Sequence, residues 1–477
     1  LVKERPRVIL KQYYLACLSH ASYLVADERT KVAAIIDPQR DIDQYIADAT
    51  AQGLSIKHVL LTHFHADFVA GHIELREKTG ATIHIGSAAR AEFPFEPMRD
   101  GKSLPLGNVE LHFLETPGHT PESVCILLYD AARGSKRPYA VFTGDTLFIG
   151  DVGRPDLMAS VGTTAEELAA MLYDSLHQKL LKLPDDTLVY PAHGAGSACG
   201  KNLSKETVST IGDQRAHNYA LQPMTRAAFV KMATSELPPA PAYFSHDALQ
   251  NRLQHKTLEK SLERALKPLT LDQVLAEQDA HSIVLDVRDS ADFEPAHLAG
   301  SVNIGLGGRF ASWVGSLLDP KVPIVIVAAP GKEIEAAMRL GRVGFDEVAG
   351  YLDGGFDAVR ARPDLVRKIE RLSPDALARE LAAHDPPLVL DVRNPGEWSQ
   401  ARIANSLLVP LDHLEDHLRD LPRDRKIAIH CASGYRSSIA ASLIERYGID
   451  GLCDLIGGIQ AWTAAGQPTV GGAPGSS

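Results

Sequence analysis

Cysteine is scarce in this 477-residue chain: the five residues are scattered at Cys17, Cys125, Cys199, Cys431 and Cys453. A set so widely spaced forms no disulfide framework and reads as reduced thiols, some of them reactive. Positive charge is also outweighed, with 49 Lys and Arg against 60 Asp and Glu and a net charge of −11, and no basic stripe interrupts that balance. A nucleic-acid partner is therefore not expected. No apolar run approaches the length of a membrane span, and the start, Leu1-Val2-Lys3-Glu4-Arg5, lacks a signal-peptide core. No membrane partner is expected, and the cytoplasm is the expected compartment. What is present, 45% hydrophobic and 23% charged residues, fits a soluble globular protein. The length exceeds one ordinary core and suggests three domains.

Short apolar runs alternate with turn signals through the first two hundred or so residues. Ala33-Ala34-Ile35-Ile36 and Val124-Cys125-Ile126-Leu127-Leu128 read as strands. Thr163 to Leu181 reads as an amphipathic helix with Thr163 or Thr164 as cap and Leu168, Met171, Leu172, Leu176 and Leu180 as its stripe. Glu236-Leu237-Pro238-Pro239-Ala240-Pro241 breaks the pattern. Beyond it the chain repeats itself. Leu285-Asp286-Val287-Arg288 recurs as Leu390-Asp391-Val392-Arg393, and Asp353-Gly354-Gly355-Phe356 as Ile456-Gly457-Gly458-Ile459. Alternating strand-like and helix-like segments in each half imply two small α/β domains with parallel sheets. The expected boundaries are 1–245 for the first domain, 246–267 for a polar linker, 268–362 and 370–470 for the repeats.

Chemistry is concentrated in turns. Thr62-His63-Phe64-His65-Ala66-Asp67 follows the buried-strand run Val59-Leu60-Leu61, so two imidazoles and a carboxylate fall on a loop at a sheet edge. Imidazole suits zinc, iron, copper or nickel, and carboxylate adds charge. Further candidate ligands sit in comparable turns: Pro117-Gly118-His119-Thr120, Thr143-Gly144-Asp145-Thr146 and Pro191-Ala192-His193-Gly194. In the second repeat, an apolar strand leads into Cys431-Ala432-Ser433-Gly434-Tyr435-Arg436 and then a helix from about Ser437 with Ile439, Leu443 and Ile444 buried. Loop N–H groups, the helix dipole and the Arg436 charge all favour a thiolate at Cys431.

The four histidine and aspartate segments resemble the metallo-β-lactamase fold family, which implies an αββα sandwich. Two-metal hydrolases of that family carry a further His where this chain has Phe68, and a phenyl ring donates no lone pair. The resemblance therefore implies one metal, held by His63, His119 and Asp145, with His65, Asp67 and His193 orienting ligands, water or a proton around it. Two His and a carboxylate with open positions is the ligand set of non-haem Fe(II) oxygenases, and within this fold it resembles the persulfide dioxygenases. Gly153-Arg154-Pro155-Asp156 resembles a segment of those enzymes, with Arg154 expected to clamp a substrate carboxylate and Asp156 beside it. The loop around Cys431 resembles the rhodanese active site, C-x-x-G-x-R, which implies a Cys431 persulfide with Ser433, Gly434 and Arg436 around it.

Aligning Gly331 with Gly434 puts Ala328 at the cysteine position of the first repeat and Glu333 at the arginine position, so that repeat is expected to be silent. Cys199, in the small-residue run after His193, is expected near the metal as a catalytic thiol that relays sulfur between substrate and metal site, with Lys201 favouring its thiolate. Cys17, Cys125 and Cys453 are expected as inert thiols, and His58, His72 and His84 as structural. The whole resembles a persulfide dioxygenase–rhodanese fusion. That implies oxidation of glutathione persulfide, coenzyme A persulfide or a related species by O2 at one Fe(II), with sulfite and thiosulfate exchanged through Cys431. Homo-oligomerisation is left open. The alternatives are a glyoxalase II-like thioester hydrolase using two metals and a non-enzymatic sulfur carrier or sensor.

Overall fold

A computed structural model describes residues 8–133, 136–157, 162–235, 237 and 240–471; Glu236, Pro238 and Pro239 of the pattern-breaking stretch lie outside them. The chain divides into two compact units, Leu1–Leu258 with Gly341–Gly344, and Glu259–Leu340 with Phe345–Ser477.

In the first unit, strand alternation dictates the layering. Along Val124–Asp130, Val124, Ile126 and Leu128 join one core while Cys125 and Leu127 join another. Along Val32–Ile36, Ala34 and Ile36 face the first core and Ala33 and Ile35 a third. A sheet apolar on both faces must be covered on both. Two six-stranded sheets result. One holds Val8–Leu15, His20–Asp27, Val32–Ile36, Ser55–Leu60, Thr82–Gly86 and Glu96–Met98 in that order. The other runs from Ser103–Pro105 through Val109–Glu115, Val124–Asp130, Ala140–Gly144 and Leu188–Pro191 to Ser209–Thr210. Their facing residues share one core, which includes Tyr23, Ile36, Phe113 and Phe142. Tyr45 and Ala49 of helix Asp43–Ala51 pack on the outside of the first sheet, and Leu172 and Phe229 of helices Ala165–Asp174 and Arg226–Thr234 on the outside of the second. The sandwich is αββα.

The helix expected over Thr163–Leu181 is α-helical over Ala165–Asp174, capped by Thr164 in a reciprocal box with Glu167. It then widens into a π turn over Ser175–Lys179 and a tight turn over Leu180–Lys182. Leu168, Leu172, Leu176 and Leu180 are fully buried, one every four residues, and Met171 falls off that stripe and is exposed. The segment read as a polar linker carries the helices Phe244–Gln250 and Leu258–Ala265.

The second unit contains the two repeats, each with a five-stranded sheet whose pairings are all parallel. The first sheet runs Pro268–Leu269, Val348–Leu352, Ile324–Val327, Ile283–Asp286, Val302–Asn303. The second runs Glu370–Leu372, Leu452–Leu455, Ile427–His430, Leu388–Asp391, Leu407–Leu408, the same order. The repeated tetrapeptide has a structural cause. Arg288 donates to both carboxylate oxygens of Asp286, and Arg393 to both of Asp391, with Nη2–Oδ2 distances of 2.6 Å in each copy. The repeated Gly-Gly pair does too. Gly458 has φ +58° and Gly355 φ +57°, and a Cβ there would meet the carbonyl oxygen of Cys431 or of Ala328 at 2.5 or 2.7 Å. Cys431 and Ala328 therefore occupy equivalent places above equivalent turns.

Candidate functional site

The parallel pairing of Val32–Ile36 with Ser55–Leu60 brings the ends of those strands together, so Asp37 lies beside the loop that starts at Leu61. Asp37 accepts from the backbone N–H of Thr62 and from its hydroxyl, both at 2.8 Å. With its proton so engaged, Thr62 Oγ1 accepts from His63 Nδ1 at 3.0 Å. His119 Nδ1 donates to the carbonyl of Arg154 at 2.8 Å, and His193 Nδ1 lies 3.3 Å from the carbonyl of Ser19. Each acceptor fixes the proton on Nδ1 and turns the Nε2 lone pair inward, as metal-binding imidazoles require.

The three Nε2 atoms converge on Asp145. His119 Nε2 and His63 Nε2 lie 3.4 and 3.8 Å from Asp145 Oδ2, and His193 Nε2 lies 3.6 Å from Oδ1. All four side chains are buried. Burial, followed by the neighbouring imidazoles, holds the pKa of His63 well below its usual value, which keeps it in the neutral ligating form. Both carboxylate oxygens of Asp145 and Nε2 of His193 are buried without a hydrogen-bond partner of good geometry among the described residues. A carboxylate so placed is costly unless a cation balances it. The residues present therefore fit a metal ion, with His63, His119 and Asp145 as one set of ligand atoms close enough to share it.

His65, Asp67 and His193 form an adjacent set, and Asp145, His193 and Cys199 a third. His65 Nε2 is 3.1 Å from Asp37 Oδ1, and Asp67 Oδ2 is 3.5 Å from His193 Nε2. Burial disfavours the charged form of His65, but the carboxylates of Asp37, Asp67 and Asp145 together outweigh it and the pKa rises; burial raises that of Asp67. Phe68 is buried with its ring centroid 4.5 Å from that of His65 and 4.2 Å from that of His20, so an apolar wall closes this side.

Two contributors carry no motif. Asp37 sits at φ 48°, a left-handed conformation rare for a residue with a side chain, at the point where it organises Thr62 and His65. Its one sequence signal is a carboxylate directly after an apolar strand. His20 is fully buried, with neither ring nitrogen hydrogen-bonded among the described residues, and burial holds its pKa well below normal.

Several expected neighbours are arranged differently. Arg154 is buried and gives Nε and Nη2 to Asp156 at 2.7 Å each, so its fork faces that carboxylate rather than an open subsite, while its backbone carbonyl positions His119. Gly153 leaves room for this approach, since a Cβ there would lie 1.9 Å from the carbonyl of Asp145 and 3.0 Å from His119 Nδ1. Lys201 does not favour a Cys199 thiolate: its Nζ donates to the carbonyls of Met232 and Ser235. Burial, with Asp67 and Asp145 nearby, pushes the pKa of Cys199 well above normal. Cys17, expected as an inert thiol, lies in the turn after Val8–Leu15 and is half-buried. Cys125 and Cys453 are buried strand thiols, raised by burial to about 11 and about 12. His58 Nδ1 and His84 Nε2 pair at 3.0 Å, and His72 packs on Phe93.

In the second unit, Cys431 follows the strand Ile427–His430 and precedes the helix Tyr435–Arg446. The Gly434 N–H donates to Cys431 Sγ at 3.1 Å and the Ser437 hydroxyl lies at 3.6 Å. Ser433 is exposed at the loop's lip. Arg436 gives both terminal nitrogens to Glu397 at 2.8 Å, so its charge is shared with that carboxylate. Ile439 and Ile444 are buried as expected and Leu443 is half-buried. Ser437, Ser438 and Ser442 are also buried. Ser438 and Ser442 face the first repeat: Ser438 donates to Asn303 Oδ1 at 2.7 Å, and Ser442 accepts from the Asn303 N–H at 2.9 Å.

Residues 15–193 match the family model described as Metallo-beta-lactamase superfamily, and residues 270–362 and 373–465 each match that of the Rhodanese-like domain. The chain is 31% identical to the persulfide dioxygenase ETHE1, mitochondrial, of Homo sapiens over 236 residues, 48% of this chain and 83% of that protein. It is 30% identical to a hydroxyacylglutathione hydrolase of a Polaromonas species over 247 residues, 46% of this chain and 88% of that protein. A crystal structure of a metallo-beta-lactamase from Staphylococcus aureus superposes with a TM-score of 0.65 at 31% identity, covering 72% of this chain and 98% of that one.

Proposed function

We propose, from the premise that the chain belongs to the metallo-β-lactamase superfamily and continues into two rhodanese-like domains, that it oxidises low-molecular-weight persulfides with O2 and transfers sulfane sulfur through Cys431. The observation that carries the first half is the set His63, His119 and Asp145, with its neutral, pre-oriented imidazoles, beside the Phe68 wall. These three residues would hold one Fe(II), which when bound supplies redox chemistry toward O2 and a Lewis-acidic site for an anionic sulfur.

The chain's own residues prepare that chemistry. Asp37 and Thr62 fix the His63 tautomer, and the Arg154 carbonyl fixes that of His119. Phe68 keeps water and a second ion from the side where His65, Asp67 and His193 lie. The balanced reaction consumes one O2 and one water per persulfide and releases sulfite, the free thiol and two protons. In the second unit, the Cys431 thiolate attacks the sulfane sulfur of thiosulfate. The S–S bond breaks, sulfite leaves with the electron pair, and the new Cys431 persulfide accepts the Gly434 N–H, with Ser433 at the loop's open lip. Run in reverse, sulfite takes the sulfur and thiosulfate forms. We place the inactive rhodanese-like domain at 268–362 and the active one at 370–470, with the cytoplasm as the compartment. Among the described residues no helix is long and apolar enough to cross a membrane.

The second triad supports one rival, a thioester hydrolase with two metals, and hydrolases stand among the relatives. Metal analysis of anaerobically purified protein, combined with oxygen uptake on glutathione persulfide, separates the two. About one iron per chain with oxygen consumption is the expected result. Two zinc ions with cleavage of a glutathione thioester would overturn it.

A further inference from the structure

Behind Cys431 lies a pair of buried carboxylates that the sulfur-transfer step does not use. Strand Leu452–Leu455 pairs in parallel with the strand that leads to Cys431, with Asp454 opposite Ile429. Asp454 is buried, its Oδ1 has no hydrogen-bond partner among the described residues, and its carboxyl is linked to the Ser437 hydroxyl, which also reaches Cys431 Sγ. The other carboxylate, Glu294, comes from the silent repeat and is fully buried. Arg371 Nε donates to Glu294 Oε2 at 2.7 Å, while Oε1 has no partner of good geometry among the described residues.

Two neighbouring carboxylates away from water do not both ionise. Burial raises the pKa of Glu294 as well, but of the two it is the one with a direct ion pair, to Arg371, so it carries the charge. Asp454 makes no ion pair among the described residues, although Arg371 lies opposite it in the strand pairing and opposes the shift; burial followed by the Glu294 charge raises its pKa well above normal. The hydroxyl between Asp454 and the thiol makes this matter. Ser437 has a single proton to donate. Toward an ionised Asp454 it would turn away from sulfur; toward a protonated Asp454 it accepts, and its own O–H points to Cys431 Sγ.

The internal repeat gives an independent argument. Tyr351 is opposite Ile326 in the first sheet as Asp454 is opposite Ile429 in the second. In the alignment that equates Ala328 with Cys431, Ile334 stands for Ser437 and Tyr351 for Asp454. The silent copy lacks the thiol, the hydroxyl and the carboxyl together.

We infer that Asp454 is a positioning residue for Cys431, and that Glu294 of the silent repeat keeps a proton on Asp454 so that Ser437 donates to the sulfur anion. The silent repeat thus supplies part of the active repeat's machinery. This rests on the sulfur-transfer reading of Cys431. The groups facing Asp454 are Glu294, Arg371, Ser437 and Cys431; those facing Glu294 are Arg371, Ser438, His297 and Asp454. Arg436, paired with Glu397, and His430, whose Nδ1 lies 3.2 Å from the Cys431 carbonyl oxygen, complete the surroundings of the thiol.

The test measures Cys431 alkylation by iodoacetamide against pH in the full-length protein, by mass spectrometry of its peptide, alongside thiosulfate-to-cyanide sulfur transfer. Glu294→Gln removes the charge that holds the proton, so Asp454 ionises at lower pH. Both rates at neutral pH are expected to fall about tenfold. Adding Asp454→Asn, whose amide is a permanent donor to Ser437, is expected to restore them to within about twofold of wild type. Asp454→Asn alone removes the decline at high pH that accompanies Asp454 ionisation, and carries the test by itself if Glu294→Gln does not fold. A double variant as slow as Glu294→Gln, or an Asp454→Asn profile with the wild-type decline, overturns the inference. If wild type transfers no sulfur but alkylation follows this pattern, the sulfur-transfer reading fails and the proton arrangement stands.

Discussion

At Phe68, one side chain separates two kinds of chemistry. Its ring fills the place beside His65 and His20 where a further imidazole would reach the set formed by His65, Asp67 and His193. Phe68→His is therefore expected to raise bound metal from about one to about two ions per chain, read by elemental analysis after dialysis. A content that stays at one would mean that the neighbouring set cannot close around an ion. Asp37 acts at the same scale through Thr62. Asp37→Asn disturbs the acceptor that orients His63, and iron affinity is expected to fall about 10- to 100-fold in a chelator competition. Motif residues such as His63, His119, Asp145 and Cys431 were legible because their chemistry sits in local patterns. Asp37, His20 and Asp454 were not, because each acts across strand pairing or packing that no short window contains. The same reason explains why Arg436 faces Glu397 and Lys201 faces Met232: the sequence names a charge but not the partner that folding brings to it.

Secondary-structure elements were more legible than their boundaries. The strands around Ala33–Ile36 and Val124–Leu128 follow from apolar runs, and Thr164 caps the helix as its side chain allows. The π turn after Asp174 was not readable, since a four-residue leucine spacing fits a slightly widened helix as well as a regular one. The buried serines of Tyr435–Arg446 look like a solvent face until the other repeat is placed against them. The buried pair Asp391–Arg393 ties strand end to loop, with Arg393 also donating to the Ala401 carbonyl at 2.7 Å. Arg393→Ala would strand a buried carboxylate and is expected to cost about 3–5 kcal/mol in denaturant unfolding. A loss under about 1 kcal/mol would show that water replaces the guanidinium there.

For the whole molecule, the division of labour predicts separable losses. Removing metal with a chelator is expected to abolish oxygen uptake on a persulfide while leaving thiosulfate-to-cyanide transfer intact. Cys431→Ser is expected to do the reverse. Parallel assays on each preparation check this, and joint loss would argue against two independent centres. Three-domain organisation and fold class were readable from length, the internal repeat and the loop motifs; the equivalence of the two sheets needed their strand order. That equivalence bears on reviving the quiet copy. Installing a thiol at Ala328 would give a sulfur with Ile334 and Tyr351 at the aligned positions, where its counterpart has a hydroxyl and a carboxyl. Such a graft would yield an inert mercaptan on an intact frame, because reactivity depends on a handful of side chains that must be supplied together.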